Sequence, residues 1–304
     1  MKMHEMLEEM PDDIEKALKI KQKIRIKPVE NILVCGMGGS GISADILHDY
    51  LKLESKISII VDKSYNLPAF VNKKTLVFIL TYSGTTAETL SMMKEAKKRK
   101  AQIVVVTSGN IKENNTIHIP GGMLPRMALP YLFFPMLNTL ENNGLIKKQG
   151  KNIKETISLL KKFDTKKAKA IADKIGKKTP VIYSYDAFSS VVARWKDEIN
   201  ENSKIIAHEA TFTELNHNEI NSMDFGKFAV IIIRDREDSG TKKQIEAAKK
   251  LIKNFTEVQT SGKSLLARMF YAIYFGDWVS YYVSENLKHN MEATPNINFV
   301  KDRI

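Results

Sequence analysis

The strongest constraint on this chain is a series of short apolar runs that alternate with stretches of helical spacing. Residues 31–35 read NILVC, 57–61 ISIIV, 76–80 LVFIL and 103–106 IVVV. Helical stretches over 40–53 and 86–99 lie between them, the second ending in KKRK, which suits the negative end of a helix dipole. A strand that is apolar on both faces has to be covered on both faces. Helical crossovers do that, so the pattern predicts a parallel sheet sandwiched by helices. A helix over 129–142 follows, with Asn143-Gly144 as its stop. The plan then recurs, with strands at 181–185, 228–233 and 255–260 and helices over 188–201, 241–253 and 263–286. The expectation is an α/β protein of two doubly wound parallel-sheet lobes, 1–150 and 151–304, a division that suits 304 residues.

Composition removes several other classes. Apolar residues make up 43% and charged residues 27%, as in ordinary globular domains, which excludes disorder, collagen and coiled coil. The single cysteine, Cys35, excludes an internal disulfide framework and a multi-cysteine metal cage, and its place in an apolar run reads as core. No apolar run reaches the ~18–20 residues of a bilayer span. The first twenty residues read as one acidic amphipathic helix without the apolar core of a signal peptide, so the expected location is cytoplasmic. Net charge is +12, but +9 of it falls in 147–178, where twelve lysines meet three acids. Ile153, Ile157 and Leu160 keep helical spacing there, so the segment reads as a solvated Lys-rich helical junction. No nucleic-acid motif accompanies it, and neither a nucleic acid nor a membrane is expected as partner. A positive field that draws in anionic metabolites fits the same charge.

Two turns carry the chemistry. Residues 36–41, GMGGSG, link the first strand to its helix. Glycines let a backbone approach a ligand, and a helix start offers unpaired N–H groups to an anion. The motif matches G-x-G-x-x-G with Asp62 at the end of the next strand, so by itself it suits a dinucleotide, a sugar phosphate or a plain tight turn. Residues 81–89, TYSGTTAET, follow the third strand and open a second helix. Thr81, Ser83, Thr85 and Thr86 cluster there around one glycine. A phosphate has three terminal oxygens and takes several short donors. The bland alternative is an ordinary helix cap by Thr85 or Thr86, with Glu88 in the first turn. In a doubly wound sheet, however, turns at the carboxyl ends of strands share a crevice, so two anion-binding turns are expected to face one site.

At this point the chain resembles the sugar isomerase (SIS) fold, in which a Ser/Thr loop behind a glycine turn grips a sugar phosphate. A dinucleotide enzyme has no need of the second turn, so a Rossmann dehydrogenase becomes the weaker reading. A third cluster adds a carboxylate and an imidazole, the usual tools for moving protons on a sugar: Glu201 within INENSK (199–204) and His217 within ELNHNE (214–219). Sixteen residues separate the two, enough for a loop to bring them near one cleft. With PRMALP (125–130) and ATPNINFVK (293–301), the order of motifs is similar, over nearly the whole chain, to the bifunctional phosphoglucose/phosphomannose isomerases of the phosphoglucose isomerase superfamily.

That resemblance implies a fold of two SIS domains, with the phosphate held by Gly39, Ser40, Thr81, Ser83 and Thr86. Thr81 stands where the family more often has Ser and keeps the hydroxyl. It also implies Arg126 beside the enediolate oxygens, Glu201 as base, His217 and Lys301 in ring opening, and Thr294 where glucose-specific enzymes carry a bulkier Gln. The implied reaction is a cis-enediol aldose–ketose isomerisation without metal or other cofactor, in a homodimer whose sites are shared between subunits, typically through the His. Two decoys fall away. SGKS (261–264) lacks the upstream glycine of a P-loop, Glu257 standing in its place, and His208-Glu209 lacks the second histidine of a zinc motif, Phe212 standing in its place. The remaining readings are a non-catalytic sugar-phosphate sensor, which would not require Glu201, His217 and Lys301, and another SIS sugar-phosphate isomerase, typically a single-lobe chain.

Overall fold

The computed structural model describes residues 2–222 and 224–303. The chain divides into two compact units, Glu8–Lys151 and Asn152–Arg303, and Lys2–Leu7 clusters with the second. The first twenty residues are not one helix. α1 (Met3–Glu8) ends before α2 (Met10–Leu18), whose first turn holds Pro11, a residue that suits a helix start and breaks a helix interior. Met3, Met6 and Leu7 of α1 are buried in the second unit, where His4 meets Trp278 edge-on.

The first unit is a five-stranded parallel sheet. β1 (Asn31–Gly36), α3 (Gly38–Leu51), β2 (Ser58–Asp62), β3 (Thr75–Leu80), α4 (Ala87–Lys98), β4 (Gln102–Thr107) and β5 (Thr116–His118) give the spatial order β2-β1-β3-β4-β5. All six residues of β3 are buried, as a central strand covered on both faces requires. Cys35 is buried too, and burial together with the Asp62 carboxylate pushes its thiol up, so it is core and not a nucleophile. The 3-10 turn Pro125–Ala128 then leads into α5 (Leu129–Asn142), whose Tyr131 hydroxyl donates to Asp13 of α2 at 2.9 Å.

The Lys-rich segment is two helices, α6 (Gly150–Leu160) and α7 (Thr165–Ile175), each with one apolar face. Asp164 caps α7 by accepting from Lys166 N, which separates the two. β6 (Thr179–Ser184), α8 (Ser189–Ser203), β7 (His208–Thr211), α9 (Phe212–Leu215), β8 (Phe228–Arg234), α10 (Ser239–Ala248) and β9 (Phe255–Gln259) build a second parallel sheet in the order β7-β6-β8-β9. α11 (Leu265–Leu287) and α12 (Pro295–Lys301) complete the unit.

Asp235, just past β8, ties three strand ends together. It accepts from Tyr185 Oη at 2.7 Å, Thr260 Oγ1 at 2.5 Å and Arg268 Nε at 2.7 Å. Burial works against its ionisation, but hydrogen bonds from Thr260, Tyr185, the Arg236 backbone N–H and Arg268 outweigh it and hold the carboxyl below its usual range. A folded-state value below the unfolded one, near 3.9, means that its contribution is complete above about pH 4 and fades as acid carries the solution down through the folded value. Asp235→Asn is therefore expected to cost about 1–3 kcal/mol at pH 7 and progressively less below pH 4. Urea unfolding of both proteins at pH 7 and pH 3 checks this; an equal gap at the two values would refute it.

Candidate active site

In the first unit the strand order reverses between β1 and β3, and these two strands are neighbours with Gly36 opposite Leu80. The glycine turn follows Gly36 and the hydroxyl turn follows Leu80, so both leave the carboxyl end of the sheet side by side at the switch point. This is where open α/β sheets bind ligands. Neither helix that starts here has a side-chain cap: α3 begins after Met37 and α4 after Thr86 without one. Instead of capping, Thr86 Oγ1 accepts from Thr81 Oγ1 at 3.2 Å, so the ordinary-cap reading of this turn does not hold. Thr81 Oγ1 in turn accepts from Gly84 N at 3.1 Å, and Ser83 Oγ accepts from Thr85 N at 3.2 Å and Thr85 Oγ1 at 3.0 Å. The hydroxyls are thus pre-arranged at a helix N-terminus, the geometry that suits an anion.

Gly39 and Ser40 sit in the first turn of α3, and Ser40 is buried. A Cβ on Gly39 would lie 3.0 Å from Pro125 O and 3.1 Å from Arg126 Cα. This close approach brings the buried Arg126 to the glycine turn, so the first unit gathers Gly39, Ser40, Thr81, Ser83, Thr86 and Arg126 around one sheet end.

In the second unit Glu201 lies in the last turn of α8. That helix is held by a continuous buried polar chain. Arg194 grips Asp277 of α11 through Nε at 3.0 Å and Nη2 at 3.1 Å, and pairs with Glu198 at 3.0 Å. Asn202 Nδ2 donates to Glu198 and to Ser280 Oγ, both at 2.9 Å, and Ser203 Oγ donates to Ser280 O at 2.8 Å. Burial opposes the Arg194 charge, but the Asp277 and Glu198 carboxylates outweigh it and hold the guanidinium above its ordinary value. Removing one member would strand a buried charge, a cost of about 3–5 kcal/mol, so this network fixes the rotation of α8 and with it the direction of Glu201.

Glu201 opens on a cavity of about 500 Å³ whose lining includes Lys204, Ile206, His289, Thr294 and Ile297. The second unit therefore brings Glu201 and Thr294 together. His217 and Lys301 are not among the residues lining that cavity. His217 is exposed in the turn after α9, a turn anchored by Glu219, which accepts from Tyr183 Oη at 2.8 Å and pairs with His208 Nε2 at 2.6 Å. Lys301 is the last residue of α12, a helix that buries none of its side chains and exposes Phe299 and Val300. Among the described residues, no cluster of His, Cys, Asp and Glu could hold a metal ion, and no helix is long and apolar enough to cross a membrane.

Comparison with known proteins agrees with this architecture. The SIS domain profile matches residues 25–123, and the profile of the bacterial phospho-glucose isomerase C-terminal SIS domain matches residues 164–304. A bifunctional phosphoglucose/phosphomannose isomerase of Caldicellulosiruptor bescii is 34% identical over 334 residues, covering 99% of this chain and 98% of its own. The chain belongs to the bifunctional phosphoglucose/phosphomannose isomerase family. A second member, from Thermoplasma acidophilum, is 36% identical over 90% of this chain and 89% of its own. The solved C-terminal domain of a glucosamine-fructose-6-phosphate aminotransferase from Francisella tularensis superposes with a TM-score of 0.76 at 13% identity, over 96% of this chain and 98% of its own, a likeness of fold.

Two residues of this family member escaped the sequence reading. A Cβ on Gly109, in the turn after β4, would lie 2.4 Å from Ser83 O and 2.8 Å from Gly84 Cα, while Ser108 Oγ donates to Tyr82 O at 2.6 Å. The Ser108-Gly109 turn is the floor on which the hydroxyl turn rests. The signal for it was the turn pair SG right after a strand, the same punctuation that marked the other two turns. The second is Lys204, inside the INENSK motif but given no role; a Lys just past a helix end is a common partner for its last carbonyls.

Proposed function

We propose that this chain is an aldose–ketose isomerase that interconverts glucose 6-phosphate and mannose 6-phosphate with fructose 6-phosphate. The observation that carries the reading is the emergence of the glycine turn and the hydroxyl turn from neighbouring strands at the switch point of one sheet. Family membership supplies the reaction class. In this reading Gly39, Ser40, Thr81, Ser83 and Thr86 clamp the phosphate, which fixes C1 and C2 of the sugar. The C2–H bond is a weak acid, so the barrier falls only with a fixed base and a stabilised oxyanion. His217 and Lys301 move the proton from the C1 hydroxyl to the ring oxygen and open the ring. Glu201 takes the proton from C2 to give a cis-enediol and returns it to C1, and Arg126 stabilises the charge that develops on the two oxygens. Rotation about C2–C3 before reprotonation lets one base serve both C2 configurations. No step calls for a metal or another cofactor.

The test is a coupled assay of each aldose phosphate forming fructose 6-phosphate, run with a chelator present. Turnover of both sugars is expected; tight binding without turnover would point to a sensor instead. Thr294 lines the Glu201 cavity with a small side chain, which leaves room beside C2. Thr294→Gln is expected to lower kcat/KM for mannose 6-phosphate about tenfold more than for glucose 6-phosphate, and equal losses would reject the room argument. The proposed setting is the cytoplasm, and the proposed assembly a homodimer with shared sites, in keeping with a His217 that does not line its own chain's Glu201 cavity and with the apolar side chains exposed on α12. Light scattering is expected to give a dimer; a fully active monomer would refute it.

A further inference from the structure

We infer that Lys204 is a positioning residue that sets the spacing between Glu201 and Thr294, and through it the choice between the two aldose phosphates. The inference rests on the reading of Glu201 as base and Thr294 as the residue that leaves room at C2. Lys204 ends α8 with a left-handed backbone, φ 56°, which turns its side chain back across the helix end. Its ammonium donates to the carbonyl of Glu201 at 2.5 Å and to the carbonyl of Ala293 at 2.6 Å. The first is among the final four carbonyls of the helix, which have no partner within it, and a cation there also complements the negative end of the dipole. The second belongs to the residue directly before Thr294.

One side chain therefore bridges the peptide of the base and the peptide leading into the specificity residue, across 89 positions of sequence. The segment between α11 and α12 contains no regular element, so its path depends on such ties. A second tie to the end of α8 is His289 Nδ1 to Ser203 O at 2.5 Å, five residues before Thr294, and Glu292 Oε1 accepts from Met3 N at 3.2 Å. Of these ties, the Lys204 bridge is made at the residue next to Thr294. Three residues it links or adjoins, Glu201, Ala293 and Thr294, line the same cavity as Lys204 itself. Loosening the bridge would let Thr294 drift relative to Glu201, which changes the space beside C2 more than it changes the fold.

Lys204→Met keeps the length and apolar stem of the side chain and removes its charge and donors, and Lys204→Arg keeps both. Steady-state kcat and KM are measured for each aldose phosphate, with the thermal midpoint of each variant. Lys204→Met is expected to lower kcat/KM about 10- to 100-fold, as a misplacement near 1 Å does. It is also expected to shift the mannose-to-glucose ratio about fivefold or more, with Lys204→Arg recovering most of both. A ratio and kcat/KM within about twofold of the parent enzyme in a folded Lys204→Met would overturn the inference while leaving the isomerase reading intact. A parent enzyme that turns over neither sugar would overturn both. Should Lys204→Met not fold, Lys204→Gln, with a neutral donor on a shorter stem, decides by the same two readings.

Discussion

Replacing Glu201 by Gln is expected to cut kcat by about 10²- to 10⁴-fold, the usual worth of a positioned general base. The amide is isosteric with the carboxylate but cannot accept the C2 proton at neutral pH. The two turns proposed to hold the phosphate belong to the other unit of the fold and are untouched by the change, so sugar-phosphate affinity should hold within a few fold. The polar chain that fixes α8 runs through Arg194, Glu198, Asn202 and Ser203, all of which the change leaves in place. Stability should therefore change little. Single-turnover kinetics with glucose 6-phosphate, alongside calorimetric titration, separates the two effects; near-normal turnover in a folded variant would end the assignment of Glu201 as base.

The second large effect is expected at Gly109, a residue given no chemistry of its own. An alanine there places its Cβ 2.4 Å from the Ser83 carbonyl oxygen. Both partners are backbone, so ordinary contact returns only if the Ser83-Gly84 turn moves by roughly 1 Å, and displacement on that scale costs about 10²-fold in rate. Because the shift falls on the hydroxyl turn proposed to hold the phosphate and not on Glu201, the loss should appear mainly as a raised KM, and competitive inhibition by inorganic phosphate should weaken in parallel. Gly109→Ala with unchanged KM and unchanged phosphate inhibition would show that the hydroxyl turn does not hold the phosphate.

The two predictions differ in how legible their residues were. Glu201 stood out because it sits in a recognisable motif at a helix end. Gly109 was passed over because the turn pair that marks it carries no chemistry of its own: its importance comes from a neighbouring turn 26 residues earlier in the chain. The elements divide in the same way. β1, β3 and β4 were plain as continuous apolar runs, whereas β5 and β7 were missed. Both are edge strands that pair on one side only, and β7 reads HEAT, with half-exposed residues and no apolar run. A strand that is not covered on both faces has no need of the pattern used to find the others. The acidic first helix and the Lys-rich segment each kept their apolar spacing but proved to be pairs of helices, because Pro11 and the Asp164 cap interrupt a periodicity that runs through the break.

By itself the sequence determined the parallel-sheet class, the twofold repetition of the plan and the glycine and hydroxyl turns. Each of these is written in neighbouring residues, through apolar runs, helix starts and the backbone freedom of glycine. Tertiary structure alone decided that β1 and β3 lie side by side, that Arg126 backs onto Gly39, that Gly109 supports the hydroxyl turn and that Lys204 joins Glu201 to Ala293. Those are distances between segments far apart in the chain. They are set by strand order and by close packing, in which one extra methyl group is enough to displace a turn.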